Sequence, residues 1–274
     1  MKKINRPIRV ANIIEEGRIG GPQKRNLMVA SALDKKIDVT LIFPKENSKE
    51  LQKQCDSLDV KYLTPSLTTI KRNWITILKY LILFPFEVIM LSWILKKYCF
   101  DIVHISGGCW QYKGVFAAKL AGIKVVWELN DTYAPVITRS VFFFLSHLVN
   151  SFIFASQRTK NYYKKLVPIR CKSFLIQSPV DVNFFNPTLE YPVDKFIKKT
   201  TKKKKILIGT ISNVNPVKGL VNFLKTANKL SIYSNKINFV VIGSIYDSQK
   251  SYHKHLMNIK TQLGIRNFFF LNSR

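Results

Sequence analysis

The chain has 274 residues, 47% of them hydrophobic, and its 44 lysines and arginines against 16 acidic residues give a formal charge of +28. This length holds two α/β domains, and this apolar content excludes intrinsic disorder. The charge points to an anionic partner, although a Lys-, Asn- and Ile-rich composition also fits an AT-rich genome. No RNA- or DNA-reading motif is present, so no specific nucleic-acid partner is expected.

Four cysteines, Cys55, Cys99, Cys109 and Cys171, stand far apart without CxxC spacing. That argues for reduced thiols in the cytoplasm and against a zinc site. The basic start, Met1 to Pro7, is read as lacking a signal peptide.

Ile8 to Ile14 alternates as a first strand. Gly17, Gly20 and Gly21 follow, and Pro22 opens a helix expected to turn Leu27, Ala30 and Leu33 inward. The spacing is not GxGxxG. Its place after a first strand nevertheless suits a ligand. Ile37–Phe43 and Leu58–Leu63 read as strands around a polar helix, Lys49 to Cys55.

Trp74 to Leu95 is the most apolar stretch and is long enough to span a bilayer. Lys79, Pro85 and Glu87 interrupt it, and Lys71, Arg72, Lys96 and Lys97 flank it. A span would put the strands before and after it on opposite sides of the membrane. The expectation is a helix, or a broken pair, packed on the sheet with an apolar face toward lipid.

Asp101 to Ile105 is a strand leading into Ser106-Gly107-Gly108, with a helix to Ala121 closed by Gly122. Ile123 to Leu129 is the next strand, ending in Glu128-Leu129-Asn130-Asp131. A helix is expected over Val141–Val149, a strand over Ser151–Ala155, a helix capped by Ser156, and a strand over Phe174–Gln177.

Thr188 to Thr201 loses periodicity and Lys198 to Lys205 is nearly all lysine, which reads as a linker. The domains are therefore placed at 1–188 and 189–274. Ile206 to Ile211 restarts the pattern as a buried strand. Asn213, Asn215 and Pro216 break it, and Leu220, Phe223, Leu224, Ala227 and Leu230 recur at helical spacing. With the helix starting at Pro216, Lys218 adds charge where free N–H groups attract phosphate. An ordinary turn with a solvated lysine is the plainer reading of the same residues. Strand 237–243, helix 248–263 and strand 268–271 complete the pattern. Alternating strands and helices imply parallel sheets with ligands at the strands' carboxyl ends, in a cleft between the domains.

Seven pieces in this order resemble a family 4 retaining glycosyltransferase of the GT-B fold: Gly20-Gly21, Asp101 to Gly108, Val125 to Asp131, Ala155-Ser156, Ser178 to Pro187, Val214 to Gly219 and Phe239 to Gly243. The resemblance implies an α/β protein of two Rossmann-like domains, the second incomplete. The family continues with a Glu-x7-Glu element before which this chain stops. It implies sugar transfer from a nucleotide-sugar donor to a lipid-linked or glycan acceptor in bacterial cell-surface glycan synthesis. By the same carry-over Gly20, Gly21, Asn213, Lys218, Gly219 and Gly243 would bind the donor, and Arg18, Gly107 and Gly108 the acceptor. Asn130, Asp131 and Glu128 would be the catalytic groups. Asn130 stands where the family often has histidine, and Asn213 where it often has arginine.

No metal and no cofactor are implied, because lysine and helix N–H groups neutralise the leaving diphosphate. The basic surplus and the apolar stretch place such an enzyme at the anionic inner face of the plasma membrane, peripherally. The sequence leaves three alternatives: a non-enzymatic polyanion-binding module, a catalytically incomplete transferase fragment and a nucleotide-dependent epimerase of related fold.

Overall fold

A computed structural model describes residues 6–70, 73–167, 170–190, 195–202 and 204–271. The chain forms two compact units, Met1–Phe184 and Phe185–Arg274, so the division falls just before the expected 188.

The first unit is a seven-stranded sheet in the order β3-β2-β1-β4-β5-β6-β7, parallel throughout. The strands are β1 (Ile8–Ile13), β2 (Ile37–Ile42), β3 (Tyr62–Leu63), β4 (Ile102–Gly107), β5 (Lys124–Leu129), β6 (Ser151–Phe154) and β7 (Lys172–Leu175). Helices α1 (Gly21–Ala32) and α2 (Lys49–Ser57) pack on one face around Leu27, Leu41, Phe43 and Leu51. The other face carries the larger core, from α3 (Trp74–Lys97), α4 (Tyr112–Ala121), α5 (Val136–Ser146) and α6 (Gln157–Leu166). At its centre Trp127 meets Phe142 edge-on at 5.1 Å and stacks on Phe152.

Several local differences from the sequence expectation have physical causes. The strand expected over Leu58–Leu63 shrinks to Tyr62–Leu63, because α2 runs to Ser57 and closes through a left-handed Asp59 and the Val60 N–H bond to Cys55 O. Helix α5 starts at Val136 rather than Val141: Pro135 ends the loop, and its carbonyl accepts from the Thr138 hydroxyl. The apolar stretch is one continuous helix that carries Pro85 in its interior. Lys71 and Arg72 lie outside the described residues.

The second unit holds a parallel three-stranded sheet, β10-β9-β8, from β8 (Ile206–Ile211), β9 (Ile237–Ile242) and β10 (Phe268–Leu271). Helices α8 (Leu220–Lys229) and α9 (Lys250–Gln262) enclose a core of Leu220, Leu224, Phe239, Leu256 and Phe268. The lysine-rich linker is corrected: Lys195–Lys202 is a helix, α7, whose Phe196 ring lies 4.6 Å from Phe269 and whose Thr200 is buried. Its apolar residues are only Phe196 and Ile197, both in the first turn, a signal too thin to break through the lysines.

Candidate functional site

The carboxyl ends of β1, β4 and β5 lie side by side, since these strands are neighbours in the sheet. The sequence places a glycine turn after β1, another after β4 and an Asn-Asp pair after β5. Parallel strands about 4.8 Å apart therefore bring the three together.

Gly20 is the N-cap of α1 and Gly21 its first residue. A Cβ on Gly21 would meet nothing within 4 Å, so the backbone there faces open space. Arg18 is exposed and partnered within its own loop, its N–H on Glu16 Oε1 at 3.0 Å and its guanidinium 3.7 Å from Oε2. Gly107, with φ at 130°, ends β4 in a conformation open only to glycine, and its carbonyl accepts from Asn130 N–H at 3.3 Å. A side chain on Gly108 would collide with the Trp110 ring, which stands edge-on to Tyr133 at 6.5 Å. These two aromatic rings border the turn, and sequence reasoning passed over them.

Of the three expected catalytic groups, two stay at the strand end. Asn130 keeps its side-chain oxygen buried with no hydrogen-bond partner among the described residues. Asp131 accepts from Tyr163 OH at 3.0 Å and from Tyr133 N–H at 3.3 Å, and burial raises its carboxyl above the usual range. Glu128 is the correction. Its side chain points to the α1 face, 1% exposed, in a salt bridge with Arg25 of α1 and 3.1 Å from His104 Nε2. A carboxylate placed in this way is turned away from the strand end and paired with Arg25 and His104.

Glu128 belongs to a buried polar network under α1. Asn12 Nδ2 donates to His104 Nδ1 at 3.2 Å, Asn26 Nδ2 to Asn12 Oδ1 at 3.1 Å, and Ser106 Oγ to Asn26 Oδ1 at 3.2 Å. An acceptor Nδ1 leaves the imidazole proton on Nε2, beside Glu128. Burial first, and the Arg25 charge second, push the His104 pKa down to about 4. The inward face of α1 is thus Gln23, Asn26 and Leu27; of the apolar set expected, Leu27 is buried and Ala30 packs beside it, while Leu33 is exposed. The signal was present as polar residues at alternate positions of central strands: Asn12, His104 with Ser106, and Glu128.

A second clamp joins the loops themselves. Glu15 Oε1 accepts from the Lys113 N–H at the start of α4 at 2.8 Å, while Gln111 Oε1 accepts from the Glu15 N–H at 2.6 Å. Tyr80 OH of α3 donates to the other Glu15 oxygen at 3.3 Å. Burial outweighs the Lys113 charge and raises the Glu15 pKa to about 7. Together the two clamps fix the α1 turn, the β4 turn and the β5 end relative to one another.

In the second unit, Asn213 follows β8 and Asn215 caps a short 3-10 turn, Pro216–Lys218, by accepting from the Val217 N–H at 3.1 Å. The expected helix start at Pro216 is corrected: Gly219, left-handed at φ 70°, separates this turn from α8. Lys218 therefore stands in the turn leading to the N-terminus of α8 rather than inside it. Gly243 has an internal reason to be glycine, because a Cβ would fall 2.1 Å from the Ser212 carbonyl oxygen.

The profile of Glycosyltransferase Family 4 matches residues 19–184, more than half of the chain. The solved structure of HepE from Anabaena with UDP-glucose superposes with a TM-score of 0.77 at 14% identity, over 97% of this chain and 69% of that one. A glycosyltransferase from Rickettsia africae gives 0.72 at 16% identity, over 99% and 69%. An E. coli structure described as trehalose-6-phosphate bound with UDP-2-fluoro glucose gives 0.66 at 10%, over 97% and 74%. No curated protein matches by sequence. The two parallel α/β units are those of the GT-B fold. The chain belongs to Glycosyltransferase Family 4.

Proposed function

We propose that the chain transfers a hexosyl group, with retention at the anomeric carbon, from a nucleotide-sugar to a membrane- or polysaccharide-linked acceptor in cell-surface glycan synthesis. The observation that carries this reading is the convergence of Gly20-Gly21, Gly107-Gly108 and Asn130-Asp131 at three adjacent strand ends of a family 4 chain. HepE, a structural neighbour, was solved with UDP-glucose, which supports a nucleotide-sugar donor.

On this reading the donor diphosphate meets Lys218, Gly219 and the N–H groups opening α8, with Asn213 nearby and Gly243 shaping the adjoining turn. In the first unit, the open backbone at Gly20 and Gly21 offers room for a nucleotide-sugar. Arg18, Gly107 and Gly108 face the acceptor, with Trp110 and Tyr133 offering rings to a sugar face. The unsatisfied oxygen of Asn130 accepts from a sugar hydroxyl, and Asp131 holds the loop through Tyr163. The reading uses no resident cofactor or metal, the leaving charge being met by Lys218 and backbone N–H groups. It places the enzyme in the cytoplasm, peripherally at the inner face of the plasma membrane.

The test is nucleoside diphosphate release from a panel of nucleotide-sugars with a membrane extract as acceptor. Release that requires the extract and falls roughly two- to tenfold in Asn130→Ala is expected, one lost neutral hydrogen bond to a sugar hydroxyl being worth about 0.5–1.5 kcal/mol. Release by no donor, or equally without acceptor, contradicts the reading.

A further inference from the structure

Helix α3 has two unlike faces. Tyr80, Glu87, Val88, Leu91, Ser92 and Leu95 are buried. On the outer side Trp74 is 72% exposed, Phe86 67%, Leu81 62%, Ile89 and Trp93 59% and Ile82 58%. At 100° per residue these six occupy one arc of about 140°. Lys79 and Lys97, about five turns apart, stand along one edge of it. Lys97 Nζ lies 4.7 Å from the Trp93 ring centroid. The helix has one acidic residue, Glu87, and that faces inward.

By length and composition α3 could cross a membrane. Its setting forbids this. β3 before it and β4 after it lie parallel in one sheet, and Glu87 Oε2 sits 2.5 Å from the buried Lys113 Nζ of α4. A crossing would dismantle the sheet and strand both charges. A second copy is a poor occupant, since facing two such arcs brings lysines together with no exposed acid on the helix to pair with them.

We infer that the outer face of α3 is a monotopic docking surface for an anionic bilayer, the helix axis lying in the membrane plane. The apolar arc enters the acyl boundary, and Lys79, Lys96 and Lys97 meet the headgroups. This deepens the proposed location and rests on the transferase reading only for why the protein goes there. Vesicle binding is read without donor or acceptor, so either reading can fail alone.

The experiment is co-sedimentation with phosphatidylcholine vesicles, with and without phosphatidylglycerol, joined to tryptophan quenching by brominated lipid. Binding should require phosphatidylglycerol and reverse in high salt. Leu81→Glu with Phe86→Glu should cut partitioning at least about tenfold. Lys79→Gln with Lys97→Gln should cut it roughly fivefold per lysine, and Lys164→Gln with Lys165→Gln on α6 should leave it unchanged. Quenching should fall in Trp93→Phe. Thermal melts confirm folding, and Ile82→Ser with Trp93→Ser replaces the glutamate pair if that pair melts early. No vesicle binding, equal loss in the α6 control, retention through alkaline carbonate, or a dimer dissociated by the α3 variants would each overturn the inference.

Discussion

The Glu87 carboxylate on the underside of α3 lies 2.5 Å from Lys113 Nζ of α4, and solvent reaches neither side chain appreciably. Thr68 completes the site: its carbonyl and hydroxyl accept from Lys113, and its N–H and hydroxyl donate to Glu87 at 2.8 and 3.1 Å. The Tyr80 ring centroid is 4.0 Å from the same ammonium. An apolar helix is thereby pinned in register by one charge pair. Lys113→Met should destabilise the first unit by about 3–5 kcal/mol, because Glu87 is left buried and unpaired. Lys113→Met with Glu87→Gln should cost less than the sum of the single changes. Urea denaturation of the four proteins measures both. Additive losses would mean the two groups act independently.

Two buried titrating groups oppose each other in pH. His104, depressed from 6.5 to about 4, contributes stability present above pH 6.5 and lost as pH falls toward 4. Glu15, raised from 4.5 to about 7, contributes stability present below pH 4.5 and lost as pH rises toward 7. Asp131, raised by burial, adds to the Glu15 slope at the acid end. Between pH 4.5 and 6.5 the wild type should show a shallow dependence. Glu15→Gln should gain stability with rising pH, and His104→Gln should lose it, each by at most about 1.4 kcal/mol per pH unit. Denaturant midpoints across that window decide it, and parallel profiles for both variants would refute the assignment.

The glycines separate packing from access. Gly243→Ala forces a Cβ against the Ser212 backbone and should cost about 1–3 kcal/mol. Gly21→Ala meets no atom and should leave stability unchanged or raise it by up to about 1 kcal/mol. Thermal melts compare them. If Gly21 borders a ligand as proposed, its alanine variant should lose substrate affinity while melting like wild type.

Much of the fold was legible because parallel strands here are β-branched runs separated by glycine, proline and asparagine turns, as at Ile206–Asn215, although β8, expected to be buried, is an edge strand with Ile206 and Ile211 exposed. What escaped the sequence depended on which face a residue takes. Glu128 was placed beside Asn130 and Asp131 by its position near the strand end, but period two sends it under α1, where Arg25 and His104 receive it. On the α1 underside Leu27 and Ala30 were legible, but helical spacing does not show a polar network, Gln23 and Asn26 here, that needs partners from β1, β4 and β5. The break between Lys218 and α8 turned on one dihedral, at Gly219, which no periodicity reports. Helix α7 hid in a lysine run because Phe196 is its main aromatic anchor.

Nucleotide titration most directly tests the claim that the Pro216–Gly219 turn holds a donor diphosphate. Nucleoside diphosphates are titrated by calorimetry into the wild type, Lys218→Ala and Lys225→Ala, the last removing an exposed charge further along α8. Saturable binding of one nucleoside diphosphate is expected, weakened by about 1.5–3 kcal/mol in Lys218→Ala and unchanged in Lys225→Ala. Equal losses in the two variants, or wild-type binding to none of the nucleotides, would contradict the account.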